Sequence, residues 1–475
     1  MFKKIFIGIL LFNVSFSFFC HQVISCTIAV VSAKASHTGR PFLWKNRDYS
    51  MSPREEINYE KGKTTNGIQK RIGNLQVVGE TLLYSNVRVV SGGVNDLGFA
   101  IINASVIETP ERELFNINHI LLEKALETCS NLDDFEKFLN DWDNEGIYTV
   151  SGNFGVIDAQ GGAAMYEIWS DGPGNPLLWE KYDANTSENG YVIRANSHIT
   201  DGWVTNEGSS IIRYQRACEL FQGLFEGDDI SPRSVLQEVS KDVGGDCDKY
   251  HPGESCLKYG YTTVDPENFN TSNALSRNIS TSAYVIDGAV DDTEIPLITL
   301  YCALGEPSFT PVVPYFLYSK KTSYYARDEA FDALGYAIDM GIGSFLSEAS
   351  EKVLLDGLYD TNRDIFGQSD KTLNFDNLHL AQEWIFPIED FLFDKTEAYL
   401  RPLRKNPEKV VSEDLYNFSH ECARYAYKNM TQRSNSAYGW DLQEFGTDSS
   451  TTGTSGDDGT VSRGCFVGTL LMEIF

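Results

Sequence analysis

Residues 26–48 read CTIAVVSAKASHTGRPFLWKNRD, and this stretch decides the fold. It opens with β-branched and apolar residues, passes through a segment that contains Gly and Pro, and returns with a second apolar run. This pattern predicts two antiparallel strands joined by a turn. The first of these strands begins with a lone cysteine, Cys26, and that position calls for an explanation.

The segment before Cys26 has the composition of a secretion signal. Two lysines near the N-terminus precede a largely apolar run over residues 5–19, which is short for a membrane span. Val23 and Ser25 occupy the −3 and −1 positions of a cleavage site. We therefore predict that residues 1–25 form a signal peptide and that the mature protein is periplasmic or secreted. Cleavage would make Cys26 the first residue, with a free α-amino group.

The composition excludes several classes of partner. The formal net charge is −28, and it becomes −30 when the two lysines of the signal are removed. Such a charge argues against nucleic acid and anionic membranes as partners. The later sequence contains no apolar segment long enough for an integral membrane span, and no CxxC or HExxH motif. We predict no metal and no cofactor, and the sequence leaves the oligomeric state open. Cys247 and Cys256 flank a loop and are a plausible disulfide.

The rest of the chain alternates strand and helix patterns up to about residue 325 and is helical in period beyond it. Further strands are predicted in residues 82–106, 153–169, 177–199 and 282–305, and helices in residues 116–142, 209–225 and 231–243. This order indicates stacked sheets with helical layers outside them. We divide the chain into the signal (1–25), a catalytic domain (26–325) and a helical C-terminal region (326–475), which includes a low-complexity segment at 446–464.

A cysteine at the N-terminus of a mature chain carries its own base. The α-amino group has a pKa of about 8 in model peptides, so it can accept the thiol proton near neutral pH. The sequence Val-Ile-Ser-Cys before the cleavage site also fits a bacterial lipoprotein, in which Cys26 would carry lipid. Lipoproteins usually continue into a polar linker, whereas here a strand begins at once, which favours the nucleophile.

The opening stretch resembles the cysteine N-terminal nucleophile (Ntn) hydrolases of the choloylglycine hydrolase, penicillin acylase and acyl-coenzyme A:6-aminopenicillanate acyltransferase group. Those enzymes begin with a Cys strand, turn, and return with a basic residue three positions before an Asp. Here the pair is Lys45 and Asp48, with Arg47 between them. The resemblance implies that Asp48 holds the α-amino group of Cys26. It leaves open whether Lys45 or Arg47 is the supporting cation.

Other family landmarks follow in order over residues 26–320. GGVNDLGFAIIN resembles the segment that carries the first Asn of the family, here Asn95, and GYVIRANSHIT the strand that carries the second, here Asn196. The hairpin NFGVIDAQGGAAMYE ends in a structural Glu, here Glu167, and SSIIRYQRACEL resembles the helix start whose arginine is here Arg213. The resemblance implies that both Asn residues face an oxyanion and that Arg213 lies near the nucleophile.

These observations predict an α+β protein with a four-layer αββα Ntn-hydrolase sandwich and an added C-terminal helical region. We expect an exported cysteine hydrolase that cleaves a linear amide through an acyl-Cys26 intermediate, with acyl transfer to an amine as a variant. An Ntn dipeptidase of the Cys type shares the opening pattern and is the enzymatic alternative. A lipid-anchored binding protein is the non-enzymatic alternative. A papain-like enzyme would need a partner histidine, and only His198 lies near a motif.

Overall fold

The structure of the protein is a computed structural model. It describes residues 25–48, 55–59, 70–77, 88–106, 117–142, 149–170, 175–200, 209–244, 269–271, 273–277, 279–326, 346, 349, 372–373 and 375–433. Three predictions fall outside these residues: the signal segment before Ser25, the Cys247–Cys256 disulfide and the low-complexity segment.

Strands and helices lie along the chain in the alternating order predicted. The strands are β1 (Ser25–Val31), β2 (Phe42–Asp48), β3 (Glu55–Tyr59), β4 (Lys70–Val77), β5 (Arg88–Asn95), β6 (Ala100–Ser105), β7 (Ser151–Ile157), β8 (Ala163–Ser170), β9 (Leu177–Asp183), β10 (Tyr191–Arg194), β11 (Phe269–Asn270), β12 (Ser280–Asp287), β13 (Thr299–Leu304), β14 (Val313–Phe316) and β15 (Thr372–Leu373). The longer helices are α1 (Asn118–Thr128), α2 (Leu132–Asn140), α3 (Ser209–Glu226), α4 (Phe375–Arg404) and α5 (Ser412–Arg433). A short helical turn at Pro232–Ser234 continues into a π-helical turn at Val235–Val239.

The strands form two large antiparallel sheets. The first sheet has six strands in the order β10-β1-β2-β12-β13-β14, and the second has seven in the order β3-β4-β5-β6-β7-β8-β9. Among the described residues, β11 and β15 pair with each other and with no other strand. The strand that starts with Cys26 therefore lies inside the first sheet, between β10 and β2.

The two sheets pack face to face and helices cover their outer faces. One core cluster joins Ile28 and Val30 of β1 to Ile102 of β6, and so fills the space between the sheets. A second cluster lies between the first sheet and α3, and a third between the second sheet and the pair α1 and α2. The four-layer αββα arrangement predicted from the sequence is therefore confirmed.

The sequence of β1 explains its central position. Ile28 and Val30 face the second sheet, whereas Ala29 and Val31 face α3, and all four side chains are buried. A strand that is apolar on both faces gains free energy only when it is covered on both sides, at about 25 cal/mol per Å² of apolar area buried. This requirement places the strand of Cys26 in the middle of the sandwich.

The C-terminal helices share the core of the sandwich. Ile385 and Ile388 of α4 and Ala426 of α5 belong to the same buried cluster as β1 and β13. The predicted helical run over residues 378–429 is interrupted after Arg404, because a turn at Pro407–Lys409 separates α4 from α5. The backbone of Asn406, with φ −143° and ψ 67°, has left the helical conformation, whereas Pro387 and Pro402 lie inside α4. Within the described ranges, no helix is both long and apolar enough to cross a membrane.

Candidate active site

Cys26 lies at the beginning of β1, where the strand enters the space between the two sheets. Its side chain is only 2% exposed and belongs to the cluster between the sheets, on the same face as Ile28. The thiol is not in a disulfide. Because β1 is apolar on both faces and is covered on both sides, it holds this thiol in a fixed position within the fold.

The backbone nitrogen of Cys26 is bound by a side-chain amide. It donates to Oδ1 of Asn196 at 2.8 Å, across 170 residues of sequence. Nδ2 of Asn196 in turn donates to the carbonyl of Ser105 at 2.6 Å, and its own backbone N–H donates to the Ser210 hydroxyl at 2.9 Å. Ser25 precedes Cys26 in this structure, so the bound nitrogen is a peptide N–H here.

Arg213 connects Asn196 to the strand of Cys26. Its guanidinium donates to the Cys26 carbonyl at 2.9 Å, to the Thr27 hydroxyl at 2.9 Å and to Oδ1 of Asn196 at 2.8 Å. The side chain projects from α3 and is buried. Burial lowers the pKa of Arg213 to about 10, which the nearby Asp48 opposes, so the guanidinium still carries its charge at neutral pH.

Asp48 ends β2 and is held on both of its carboxylate oxygens. The Ser280 hydroxyl donates to Oδ1 at 2.6 Å, and Arg277 forms an ion pair with Oδ2 at 3.5 Å. Burial raises the pKa of this carboxyl group, while Arg277, Arg213, Ser280 and Arg47 lower it. In the β1–β2 ladder Asp48 stands opposite Ser25, the residue immediately before Cys26.

Arg277 and Ser280 belong to no motif that pointed to the site. They lie in the stretch NALSRNISTS, which resembles no catalytic motif used above. They reach the site because β12 pairs with β2, which brings residue 280 opposite residue 48. Only knowledge of this long-range pairing could have identified them.

The strand register separates the two candidate cations. Arg47 stands directly opposite Cys26, and Lys45 stands opposite Ile28, two pairs further along on the same face. Side chains at opposite positions of an antiparallel pair share a face and lie about 5 Å apart at Cβ. Arg47 is therefore the cation beside the thiol. Lys45 is buried deeper, where Nζ donates to the Ser91 carbonyl at 2.8 Å and to Oδ1 of Asn103 at 3.0 Å.

Asn95 has a different task from the one predicted for it. Its Nδ2 donates to the carbonyls of Leu126 and Cys129 at the end of α1, and its backbone N–H donates to the Phe99 carbonyl. Its Oδ1 accepts the N–H groups of Leu97 and Phe99. The amide therefore closes the turn after β5 and satisfies the helix C-terminus, on the outer face of the second sheet. An oxyanion beside Cys26 would lie on the inner face, so we do not assign Asn95 to it.

Glu167 has the structural role that the resemblance implied. It is buried and accepts from Arg194 at 2.6 Å and from the backbone N–H groups of Ile199 and Thr200. Hydrogen bonds and the charge of Arg194 lower the pKa of Glu167 against the opposing effect of burial. These contacts fix the chain on both sides of Asn196, and so hold its amide against Cys26.

Three solved structures resemble this fold at low similarity. A mutant of the conjugated bile acid hydrolase from Clostridium perfringens is 11% identical with a TM-score of 0.36, over 62% of this chain and 92% of that one. The N-acylethanolamine-hydrolyzing acid amidase ortholog of Caenorhabditis elegans is 11% identical with a TM-score of 0.32, over 55% and 92%. The penicillin V acylase from Agrobacterium tumefaciens is 12% identical with a TM-score of 0.33, over 62% and 86%.

These neighbours include two kinds of enzyme named in the sequence analysis, a bile acid hydrolase and a penicillin acylase. No protein-family model matches the sequence, and no curated protein matches it. The substrates in the neighbours' names belong to those proteins. The description of this chain as a four-layer sandwich rests on its own sheet order and layering.

Proposed function

We propose that the protein is an exported cysteine hydrolase that cleaves a linear amide bond through an acyl-Cys26 intermediate. The observation that carries the proposal is the network of Cys26, Asn196 and Arg213. It binds the backbone nitrogen and carbonyl of the residue predicted to become the N-terminus. Such a network orients a nucleophile, whereas an incidental buried cysteine would not require it.

Removal of Ser25 would convert the bound peptide nitrogen into an α-amino group. Asp48 stands opposite Ser25 in the ladder, so after cleavage its carboxylate lies diagonally across from the new N-terminus. The carboxylate and Oδ1 of Asn196 would then both accept hydrogen bonds from the amino group. This arrangement keeps the base beside the thiol whose proton it accepts.

The proposed reaction has two steps. The α-amino group takes the thiol proton, Sγ forms a bond to the amide carbon, and the carbonyl electron pair moves to oxygen. The oxyanion then collapses, the C–N bond breaks, and the amine leaves with the proton that the α-amino group held. A water molecule next gives a proton to the α-amino group, attacks the thioester and releases the acid, which restores the thiol.

The charges around Cys26 suit this chemistry. Arg213 donates to the Cys26 carbonyl and Arg47 stands opposite Cys26 in the ladder, and a nearby cation favours the thiolate. We assign the oxyanion to Nδ2 of Asn196, which donates to the Ser105 carbonyl in this structure and belongs to the amide whose Oδ1 accepts from the Cys26 nitrogen and from Arg213. Preorganised amide donors of this kind contribute about 3 kcal/mol to the stabilisation of a transition state.

The burial of Cys26 also bears on the lipoprotein alternative. A lipidated cysteine must place its acyl chains in a membrane, but this residue is 2% exposed and lies in the core between two sheets.

N-terminal sequencing and mass spectrometry of the exported protein test both the hydrolase proposal and the lipoprotein alternative. A free Cys26 at the N-terminus, with hydrolysis of at least one member of a panel of acyl-amines, penicillin V, taurine conjugates and dipeptides, supports the proposal. A diacylated Cys26 would end it, and activity on dipeptides alone would favour the dipeptidase.

We expect Asn196→Ala to lower kcat by about 10² to 10³ while the protein stays folded. The variant removes the proposed oxyanion donor and the acceptor of the Cys26 nitrogen, and loss of one oxyanion donor has an effect of this size. Steady-state kinetics on the best amide of the panel measure it. Asn185→Ala is the matched control, since the Asn185 amide binds the Gly161 carbonyl on the surface and should leave kcat unchanged. An unchanged kcat in Asn196→Ala would contradict the assignment.

We also expect substrates with cationic leaving groups to have higher kcat/KM than those with anionic ones. The net charge of the mature chain, −28 less the two lysines of the signal and therefore −30, attracts cations over a distance, whereas the groups next to Cys26 are mostly cationic. The preference should therefore arise during association and weaken as salt rises, because the Debye length is about 8 Å at physiological ionic strength. Paired acyl-amines with cationic or anionic leaving groups, assayed at low and high salt, measure it. A clear preference for taurine conjugates would contradict this charge argument alone.

A further inference from the structure

We propose that Ser280 and Arg277 are positioning residues that hold the Asp48 carboxylate in place beside the N-terminus of the mature chain. This inference rests on the proposed function, in which Asp48 binds the α-amino group of Cys26. It adds a pair of residues that act on the reaction through Asp48.

The contacts among the three residues form a closed network. Ser280 donates its hydroxyl to one carboxylate oxygen of Asp48 at 2.6 Å, and Arg277 pairs with the other at 3.5 Å. The backbone N–H of Arg277 donates to the Ser280 hydroxyl at 3.0 Å, and the backbone N–H of Ser280 donates to the Arg277 carbonyl at 2.7 Å. All three side chains are buried. The loop before β12 thus orients the hydroxyl that orients the carboxylate.

An irregularity in β12 makes this network possible. Ser280 pairs with Asp48 and Ser282 pairs with Arg47, so two steps along β12 match one step along β2. In a regular strand, residues 280 and 282 would face the same side of the sheet. The extra residue, Thr281, lets Ser280 face Asp48 while Ser282 faces the same side as Arg47 and Cys26. Bulges that redirect a side chain in this way occur often beside active sites.

The network has an electrostatic consequence. Burial favours the neutral form of Asp48, and this effect is opposed by the charges of Arg277, of Arg213 from α3 and of Arg47 and by the hydrogen bond from Ser280. Loss of the Ser280 hydroxyl or of the Arg277 charge would therefore raise the pKa of Asp48 further. If the ionised carboxylate is the active form, activity would then be lost at higher pH than in the unaltered protein.

The test is the pH dependence of the Ser280→Ala and Arg277→Gln variants. We expect the acid limb of kcat/KM to move to higher pH by about one unit, which means about tenfold less activity below the limb and little change well above it. Ser280→Thr keeps the hydroxyl and should restore the profile. Ser130→Ala is the matched control, because the Ser130 hydroxyl donates to Asp134 in the outer helical layer, away from the site.

A second readout does not depend on the substrate. The rate at which iodoacetamide alkylates Cys26, followed by mass spectrometry as pH changes, should shift in the same direction in both variants. An unshifted alkylation profile, or an equal loss of activity at every pH, would overturn the positioning role. A protein that cleaves no amide in the panel but shows the shift would overturn the proposed function and support the positioning. If Ser280→Ala does not fold, the Arg277→Gln profile decides the question.

Discussion

Alanine at position 26 should abolish amide hydrolysis without unfolding the protein. The variant removes the only atom that the proposed mechanism bonds to the substrate, and loss of a nucleophile in a covalent hydrolase lowers kcat by a factor on the order of 10⁶. Cys26→Ser keeps a weaker nucleophile in the same geometry and should lose most, though not all, of the activity. Assays on the best amide of the panel, with circular dichroism as a check on folding, measure both variants.

Selective alkylation provides the matching chemical test. Burial raises the pKa of the Cys129 thiol to about 12 and also raises the pKa values of Cys218 and Cys422. Since the thiolate is the reactive form, iodoacetamide should modify Cys26 before these residues. Cys218→Ser is the control and should retain full activity. Full activity in Cys26→Ala would rule out the mechanism, whatever the alkylation pattern.

The sequence predicted most of the strands and helices, but not which strands pair with each other. The apolar runs in CTIAVVSAK and PFLWKNRD and the turn between them correctly predicted β1 and β2, and the helical periods predicted α1, α2 and α3. The strands β3, β4, β11 and β15 were not predicted. β4 contains a glycine and several polar residues, and β11 and β15 are only two residues long, so none of these three presents a clear period of two.

In the candidate site as well, local patterns were predicted correctly and long-range contacts were not. Cys26, Asn196 and Arg213 lie together as the resemblance implied, because Cys26 lies in β1, Arg213 lies in α3 and Asn196 follows β10 by two residues, and each of these elements has a recognisable local pattern. The position of Asn95 matched a motif, but its amide was directed to the end of α1 by a turn that no motif specifies. The net charge does not indicate where the cations of the site lie, because it is a total over the whole chain.

A buried ion pair joins the C-terminal region to the sandwich. Lys241 and Glu389 of α4 are 2.9 Å apart, and both side chains are fully buried. Lys241 also donates to the carbonyls of Pro307 and Thr310, and Glu389 accepts the backbone N–H of Val312. Burial raises the pKa of Glu389, and the charge of Lys241 opposes this effect. The pair thus connects α4 both to the turn that covers the first sheet and to the segment before β14.

We expect Lys241→Met to lower the free energy of unfolding by about 3 to 5 kcal/mol, because it leaves a buried carboxylate without its cation. The double variant Lys241→Met/Glu389→Leu should be destabilised by less than Lys241→Met alone, since it leaves no buried charge. Urea unfolding followed by circular dichroism measures both. Lys321→Met is the control: Lys321 and Glu413 form a pair of the same 2.9 Å length, but both side chains are 58% exposed. Loss of an exposed pair should change stability by about 1 kcal/mol or less.

The shape of the unfolding curve then tests whether the helical region beyond residue 325 unfolds together with the sandwich. If α4 is part of the same cooperative unit as the sandwich, Lys241→Met moves a single transition to lower urea and amide hydrolysis is lost within that transition. The shared cluster of β1, β13, α4 and α5 supports this result. Two separate transitions, with activity lost only in the second, would show that the helical region unfolds independently. A loss below 1 kcal/mol in Lys241→Met would show that the buried pair contributes no more than the exposed one.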